Sequence, residues 1–354
     1  MRSLRTNKTL RTNVITYAVV VAAFVLFQCL GSAGVLSSTM KGQLVPICAY
    51  VLMALSLNLT VGILGELSLG HAGFMSVGAF AGAVTASAMQ DSVPSSALRL
   101  TVAVLVGVVL AAIVGVLIGI PVLRLNGDYL AIVTLAFGEI IKSIVNNLYI
   151  GMDANGLHAS FLNNTIVLGE GGRMILSGPM GVPGIKKTAT FAAGFILILI
   201  ALFVIFNLVN SRAGRAIMAL RDNRIAAESV GINVTKYKLM AFVISAAIAG
   251  AGGALYGQAQ NAIIATKFDF NTSILILVFV VLGGMGNMLG SILAAALLTV
   301  LPELLRSLND YRMLIYAIVL ILMMLFNSAP AMVQWREQMT EKLRKTFGKE
   351  KKEG

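Results

Sequence analysis

The sequence predicts an all-α fold, a polytopic transmembrane helix bundle of about ten crossings with both termini in the cytoplasm. Hydrophobic residues make up 58% of the 354 positions and charged residues only 12%, whereas a soluble domain is about one quarter charged. Long windows contain no charge at all, and positive residues concentrate in three places. These observations exclude a soluble enzyme and a disordered chain, and they favour a protein embedded in lipid.

The crossings are predicted from windows that lack Asp, Glu, Lys and Arg, because a charge in hydrocarbon is expensive. About 20 apolar residues span the bilayer core, and each window is at least that long. The windows are residues 12–40, 42–65, 67–90, 100–123, 188–211, 239–266, 270–302 and 313–335. The first is longer than a signal-peptide core, so we expect an uncleaved first helix.

The window 270–302 is too long for one crossing, and glycines interrupt it. We expect two short helices there that meet at a glycine loop, and glycines break a second stretch at residues 62–70. One more crossing, residues 128–148, carries Glu139 and Lys142 and brings the total to about ten. The predicted helix-break glycines are Gly62, Gly65, Gly70, Gly283, Gly284 and Gly286.

Positive charge predicts the orientation of the crossings. Basic residues cluster in a tail at 1–13, in a loop at 211–237 (the basic loop) and in a tail at 336–354, and all three should be cytoplasmic. The transmembrane domain then spans residues 14–335, and its longest outside loop is 150–189. That loop is either a surface for a partner or a tolerated insertion. The basic clusters lack interleaved aromatic residues, so no nucleic-acid partner is expected.

Several functional classes lack their motifs in this chain. There is no P-loop and no Gly-x-Ser-x-Gly elbow, and His71 and His158 are the only histidines. Cys29 and Cys48 lie in apolar runs without a metal or redox spacing. We therefore expect no catalytic residue, no metal site and no cofactor bound by this chain. A secondary transporter would place ionisable groups at mid-depth, where these crossings carry few.

The basic loop has the local signals of two short helices. Ser211 and Asn223 are suitable N-caps, and Gly231 suits the position just past the second helix. The second helix, about two turns over residues 224–230, would be marginal alone in water, so we expect it to dock on a partner such as an ATPase. The alternative is a loop that only sets the orientation of the chain.

Four segments, together with the basic loop, resemble the branched-chain amino-acid permeases of bacterial ABC importers, the Liv family of M type. Residues 58–74 (NLTVGILGELSLGHAGF) and 125–140 (LNGDYLAIVTLAFGEI) resemble two of its motifs. Residues 177–185 (SGPMGVPGI) and 281–286 (VLGGMG) resemble two more, and the basic loop resembles the EAA-type loop of such permeases. Residues 151–176 are an insertion relative to the family pattern.

The resemblance implies a permease subunit of a binding-protein-dependent ABC importer in the bacterial cell membrane. Leucine, isoleucine or valine would pass between this chain and a second, similar permease, identical or different. An extracytoplasmic substrate-binding protein would deliver them, and separate ABC ATPase subunits would bind and hydrolyse ATP. A urea or short-amide permease of the same family is the alternative, and a secondary transporter is a more distant one.

The resemblance also implies that the basic loop couples the chain to the ATPase. Arg221, Arg224 and Glu228 are spaced to share one helix face, and the alanines beside them would allow a partner to approach closely. The expected coupling residues are Arg221, Asp222, Asn223, Arg224, Ile225, Ala226, Ala227, Glu228 and Gly231.

Polar and aromatic residues within the crossings are candidates for the translocation path. They are Ser68, His71, Phe74, Thr134, Phe137 and Glu139. For His71 we prefer a packing role with satisfied hydrogen bonds to contact with the substrate. For Glu139 we prefer an ion pair with Lys142 to contact with a substrate amino group. Asn58 and Ser68 need partners if buried, and either they bond each other or they line the path, although for Asn58 we favour a structural role.

Overall fold

A computed structural model describes residues 2–305, apart from 34–36, 91, 126, 154–155, 163–165, 167 and 170–171, and scattered residues between 311 and 322. The chain divides into two compact units, residues 1–297 and 298–354. The second unit is described only for the end of one helix and for those scattered residues. Most of the predicted crossing at 313–335 and all of the predicted tail at 336–354 therefore lie outside the described residues.

Eleven α-helices lie within the described residues. They are α1 (Arg2–Ser32), α2 (Ser38–Asn58), α3 (His71–Ala88), α4 (Ser96–Val122), α5 (Asp128–Asn146), α6 (Phe191–Asn210), α7 (Arg212–Asp222), α8 (Arg224–Ser229), α9 (Val234–Gly257), α10 (Phe270–Gly283) and α11 (Met288–Leu304). Helix α1 begins at Arg2, so the predicted basic tail at 1–13 continues the first crossing as helix.

Six helical stretches of the described chain are long and apolar enough to cross a bilayer. They are Asn13–Ser32, Ser38–Leu64, Ser96–Val122, Phe191–Asn210, Val234–Ala259 and Ala265–Gly283. Helix α11 is apolar but shorter. Helices α3 and α5, of 18 and 19 residues, lie in two further predicted crossings. The total of about ten crossings stays a prediction.

The fold is not all-α, because the 150–189 loop contains most of a three-stranded antiparallel sheet. Its strands are β1 (Leu148–Asp153), β2 (Gly156–Phe161) and β3 (Arg173–Ser177), in the order β2-β1-β3. Ile150 in β1 lies opposite Ala159 in β2. Nη2 of Arg173 donates a hydrogen bond of 2.6 Å to the carbonyl of Ser87, which ties the sheet to the end of α3. The sequence analysis did not predict these strands, because such short strands carry too little alternation to reveal a period of two.

Helices α3, α4 and α9 pack with their backbones in contact because glycines line their interfaces. A β-carbon on Gly78 of α3 would overlap the backbone of Gly250 in α9, and one on Gly253 would overlap the carbonyl of Met75. Gly107 of α4 lies against both Gly78 and Gly250. Small residues are the usual means of close association in lipid, where no hydrophobic effect drives helices together. Helices α2 and α9 are mostly buried, whereas few residues of α1 and α6 are buried.

Two helix breaks interrupt the bundle where the glycine pattern predicts them. The α2–α3 break, residues 59–70, begins with a π-helical turn and then stays non-helical until α3. Gly65 in this break has φ +80°, a conformation that favours glycine. The α10–α11 break, residues 284–287, contains Gly284 and Gly286, both with positive φ. The expectation of two helices in the long window is confirmed.

Replacement of Gly78 by Ala should destabilise the bundle, because the new methyl group overlaps the backbone of Gly250 and forces α3 away from α9. Overpacking of this kind costs about 1–3 kcal/mol. We expect a lower midpoint of thermal unfolding for the purified protein in detergent. Gly42→Ala in α2 is the matched control, since nothing lies within 4 Å of a β-carbon at Gly42. Equal midpoints for the two variants would contradict the close packing of α3 on α9.

Candidate functional site

The basic loop folds into two short helices, α7 and α8, whose starts the sequence specifies. Oγ of Ser211 accepts a hydrogen bond of 3.1 Å from the backbone nitrogen of Gly214 and caps α7. Oδ1 of Asn223 accepts one of 3.0 Å from the backbone nitrogen of Ala226 and caps α8. Gly231 follows α8 with φ +85°. Both predicted caps are confirmed, and α8, with six residues, is shorter than the expected two turns.

The outward surface of α8 is apolar at its tip. The side chain of Ile225 is 82% exposed, and Val230, directly after the helix, is 76% exposed. Ala226 and Glu228 are exposed as well, whereas Ala227 is buried in a cluster with residues of α7 and α9. A helix this short would be marginal alone in water, so the packing of Ala227 holds it in place. We call Ile225 and Val230 the α8 tip.

Arg221, at the end of α7, faces the bundle. Its Nη1 donates a hydrogen bond of 3.1 Å to the carbonyl of Gly62 in the α2–α3 break. A β-carbon on Gly65 would lie 2.5 Å from Cγ of Arg221, so the glycine makes room for this side chain. The same guanidinium forms an ion pair with Asp222. Arg221 therefore joins the basic loop to the break.

The expectation that Arg221 shares one helix face with Arg224 and Glu228 is wrong. The chain leaves helical geometry at Asn223, which has φ −156° and ψ 105°, and this places Arg221 in α7 and the other two residues in α8. The spacing rule applies only within one continuous helix. The role of these residues in coupling stays a prediction.

A buried ion pair that the sequence analysis missed lies beside Arg221. Nζ of Lys238, in the second turn of α9, pairs with Oε1 of Glu66 in the α2–α3 break. The side chains of Lys238 and Glu66 are only 4% and 13% exposed. The sequence does show that Glu66 and Lys238 each lie at the end of a charge-free window, which places both charges at the ends of predicted crossings. Because 172 residues separate the partners, no local rule connects them.

A cavity of about 290 Å³ lies between the basic loop and the α2–α3 break. Charges of both signs line it together with apolar side chains. Its lining is Leu64, Gly65, Glu66, Leu67, Gly127, Asp128, Leu220, Arg221, Arg224 and Lys238. The basic loop and the break therefore face each other across a space that is lined by charges of both signs, beside the ion pair.

Ser245 of α9 is the centre of a buried polar network that joins three helical segments. Its Oγ donates a hydrogen bond of 2.7 Å to the backbone carbonyl of Ser56 and accepts one of 2.8 Å from Oγ1 of Thr60. Nε2 of His71 lies 2.9 Å from the same Oγ, and Nδ1 lies 3.2 Å from Oγ of Ser68. Both ring nitrogens of His71 thus have partners, as a packing histidine requires.

The other predicted path residues lie in two adjacent, narrow crevices that share Gly138. Phe74, Thr134 and Phe137 line one of them, between α3 and α5. Glu139 lines the other and forms an ion pair with Lys142, which was the preferred interpretation of its charge. The structure therefore brings three of the candidates together in one crevice and places Glu139 in the adjacent one. Their contact with a transported molecule stays a prediction.

Asn58 joins the two helix breaks. Its Oδ1 accepts a hydrogen bond of 2.7 Å from the backbone nitrogen of Gly286, and its Nδ2 donates one of 2.8 Å to Oγ of Ser291. A β-carbon on Gly62 would overlap the backbone of Gly286, so the breaks are in direct contact. This geometry supports a structural role for Asn58. Its amide is hydrogen-bonded to Gly286 and Ser291, and not to Ser68.

Two further break glycines also lie against neighbouring backbone. A β-carbon on Gly70 would overlap the carbonyl of Thr134, and Oγ1 of Thr134 accepts a hydrogen bond of 3.0 Å from the backbone nitrogen of Leu69. Helix α5 thus holds the end of the α2–α3 break. In the α10–α11 break, Gly283 packs against the backbone of Gly290.

The second histidine lies in the sheet. Nε2 of His158 is 2.9 Å from Oδ1 of Asp153. In the portion of the chain that the structure describes, no three His, Cys, Asp or Glu side chains are grouped closely enough to hold a metal ion.

Comparison with known proteins gives matches along most of the chain. Residues 40–325 match a family model described as the permease component of the branched-chain amino acid transport system. The high-affinity branched-chain amino acid transport system permease protein LivM of Salmonella typhimurium is 38% identical over 306 residues, 82% of this chain and 69% of the relative. LivM of Escherichia coli is 37% identical over 306 residues, with the same coverage. The nucleoside ABC transporter permease protein NupC of Lactococcus lactis is 25% identical over 198 residues, 55% of this chain and 59% of the relative. No solved structure matches.

Replacement of Ser245 by Ala should lower the midpoint of thermal unfolding, because it removes the hydroxyl that Thr60 and His71 share. A buried polar group left unsatisfied costs about 1–3 kcal/mol. The matched control is Ser76→Ala in α3, since the buried Oγ of Ser76 has no hydrogen-bond partner among the described residues. The control should keep or raise the midpoint. If Ser245→Ala unfolds at the wild-type temperature, the network contributes no stability.

Proposed function

The chain belongs to the family of branched-chain amino acid permease components, and from this premise we propose that it forms one half of the translocation path of an ABC importer. It is a transport subunit of the bacterial inner membrane, and its family is non-catalytic. A second permease, either this chain again or a similar one, forms the other half. The chain crosses the membrane about ten times, and its positive charges place both termini and the basic loop in the cytoplasm.

Leucine, isoleucine and valine are the proposed substrates. The relatives at 37–38% identity are named for high-affinity transport of branched-chain amino acids, and the match extends over 82% of this chain. We propose that the narrow crevice of Phe74, Thr134 and Phe137 borders the path and opens toward it when the transporter changes conformation. Ser68 and His71 support this crevice from within the polar network centred on Ser245.

The observation that carries the proposal is the α8 tip. Exposed Ile225 and Val230, on a short helix at the end of a basic loop, offer a small apolar surface that a groove on an ATPase subunit would cover. ATP is bound and hydrolysed by those separate subunits, so this chain needs no cofactor. ATP binding moves α8 and thereby favours one of two conformations, open to the outside or to the inside.

The 150–189 loop is the proposed docking surface for an extracytoplasmic binding protein. Its sheet makes the surface ordered, and Arg173 fixes the sheet to the end of α3. Leu157, Phe161 and Met180 are large, exposed apolar side chains on or beside the sheet. A soluble partner would cover such residues on binding.

Uptake by the reconstituted transporter tests the substrate. The chain, its second permease, the ATPase subunits and the binding protein would be placed in proteoliposomes, and entry of radiolabelled leucine, isoleucine and valine would be measured. We expect ATP-dependent uptake of all three, and none of urea or a nucleoside. Uptake of urea in preference to leucine, or leucine uptake by the chain without any ATPase, would contradict the proposal.

Replacement of Ile225 and Val230 by Asp should release the ATPase subunits from the chain. The two apolar contacts would become charges, and loss of such a central contact weakens binding by about tenfold or more. Membrane insertion should be normal, because both side chains are exposed. The measurement is the amount of ATPase that co-purifies with the chain.

Met180→Asp is the control for this prediction. Met180 is 72% exposed, comparable to Val230, but it belongs to the 150–189 loop on the opposite, external side of the proposed topology. It should retain the ATPase in full. Equal recovery of ATPase with the Ile225 and Val230 variants and with the wild type would exclude the α8 tip as the docking surface.

A further inference from the structure

We propose that Glu66 and Lys238 are positioning residues that pass the motion of the basic loop to the α2–α3 break through their ion pair. The inference rests on the proposed function, because ATPase subunits acting on α8 are the source of the motion. It concerns a different part of the chain from the α8 tip, namely the contact between the loop and the membrane helices.

The basic loop is attached to the first turn of α9 as one packed piece. Ala227 of α8 is buried together with Leu220 of α7 and Val234 of α9. A displacement of α8 therefore displaces the end of α7 and the start of α9 with it. Lys238 lies one turn beyond Val234 and well before the glycine contacts of α9 with α3, so this end of the helix is the one that can tilt.

Both side chains that reach from this piece into the bundle end on the α2–α3 break. Lys238 pairs with Glu66, and Arg221 donates a hydrogen bond to the carbonyl of Gly62. The break is thus held at two points, one on each side of Gly65. Between these points the chain turns from its π-helical segment to the non-helical stretch before α3.

The ion pair is the stronger of the two attachments. Separating Glu66 from Lys238 would leave two unpaired charges on side chains that are only 13% and 4% exposed, which costs more than the loss of an exposed contact. Arg221 is exposed and already has Asp222 as a second partner, so its bond to the break is easily exchanged. When the loop moves, Glu66 must therefore follow Lys238.

Motion of the break reaches the proposed path through bonds already described. The backbone nitrogen of Leu69 is bonded to Thr134 of α5, next to the crevice of Phe74 and Phe137. Ser68 is bonded to His71 at the start of α3. A shift of Glu66 thus bears first on residues 67–70, which have no helical ladder to resist it, and then on α5.

The test is the number of leucine molecules taken up for each ATP hydrolysed by the full transporter in proteoliposomes. Lys238→Met and Glu66→Gln should lower this ratio about tenfold, within the usual range of coupling between sites, while ATP hydrolysis continues. Exchange of the charges, Glu66→Lys with Lys238→Glu, should restore most of the ratio. A change that merely destabilised the protein would lower uptake and hydrolysis together and leave the ratio unchanged.

A neutral double variant and a matched control complete the experiment. Glu66→Gln with Lys238→Met leaves no unpaired buried charge, so it should insert normally even if the single variants insert poorly. It should show the same low ratio. Lys236→Met removes a lysine two positions away in the same helix, whose side chain is exposed, and it should keep the wild-type ratio.

The outcomes distinguish a failure of the ion-pair link, meaning the transmission of motion through Glu66 and Lys238, from a failure of the proposed function. If the wild-type transporter takes up leucine and the neutral double variant has an unchanged ratio, the ion pair transmits nothing and only the link is overturned. Failure of the exchanged charges to restore the ratio would overturn it as well. A wild-type transporter that takes up no branched-chain amino acid would instead contradict the proposed function. The ion-pair link would then be contradicted as well, because it rests on that function.

Discussion

Residues 65–70 of the α2–α3 break have no helical ladder, so the polar backbone groups of the break need hydrogen-bond partners from elsewhere, and the arrangement of the surrounding segments depends on this requirement. Side chains from distant segments meet it. Arg221 of α7 bonds a carbonyl of the break, and Thr134 of α5 accepts from the nitrogen of Leu69. Asn58 in turn bonds the α10–α11 break at Gly286. The contacts that satisfy the backbone also bring the basic loop, α5 and the α10–α11 break against the α2–α3 break.

Features whose cause lies within a few residues were predictable from the sequence. Ser211 and Asn223 begin α7 and α8 because their side chains cap the backbone of the next turn. Glu139 and Lys142 pair because three positions separate them on one helix. The glycine loop between α10 and α11 followed from the length of its window, since one crossing does not need so many residues.

Features that depend on distant residues were not predictable in this way. Glu66 and Lys238 are 172 positions apart, and only the folded chain brings them together. Arg221 faces the bundle because Asn223 ends its helix, so the spacing that grouped it with Glu228 no longer applied. The sheet escaped notice for another reason: its strands have five or six residues each, too few for a period to stand out from composition.

Helices α3, α4 and α9 cannot slide or rotate past one another, because their backbones meet at Gly78, Gly107 and Gly250 with no side chain between them. Around these glycine contacts the close-packed helices move as a rigid body, whereas the first turns of α9 lie before the contacts. We infer that the hinges lie in the helix breaks that contain Gly65, Gly284 and Gly286. Divergence among permeases of this family would accordingly change the flanking helices that turn on those hinges, and leave the three-helix slab as it is.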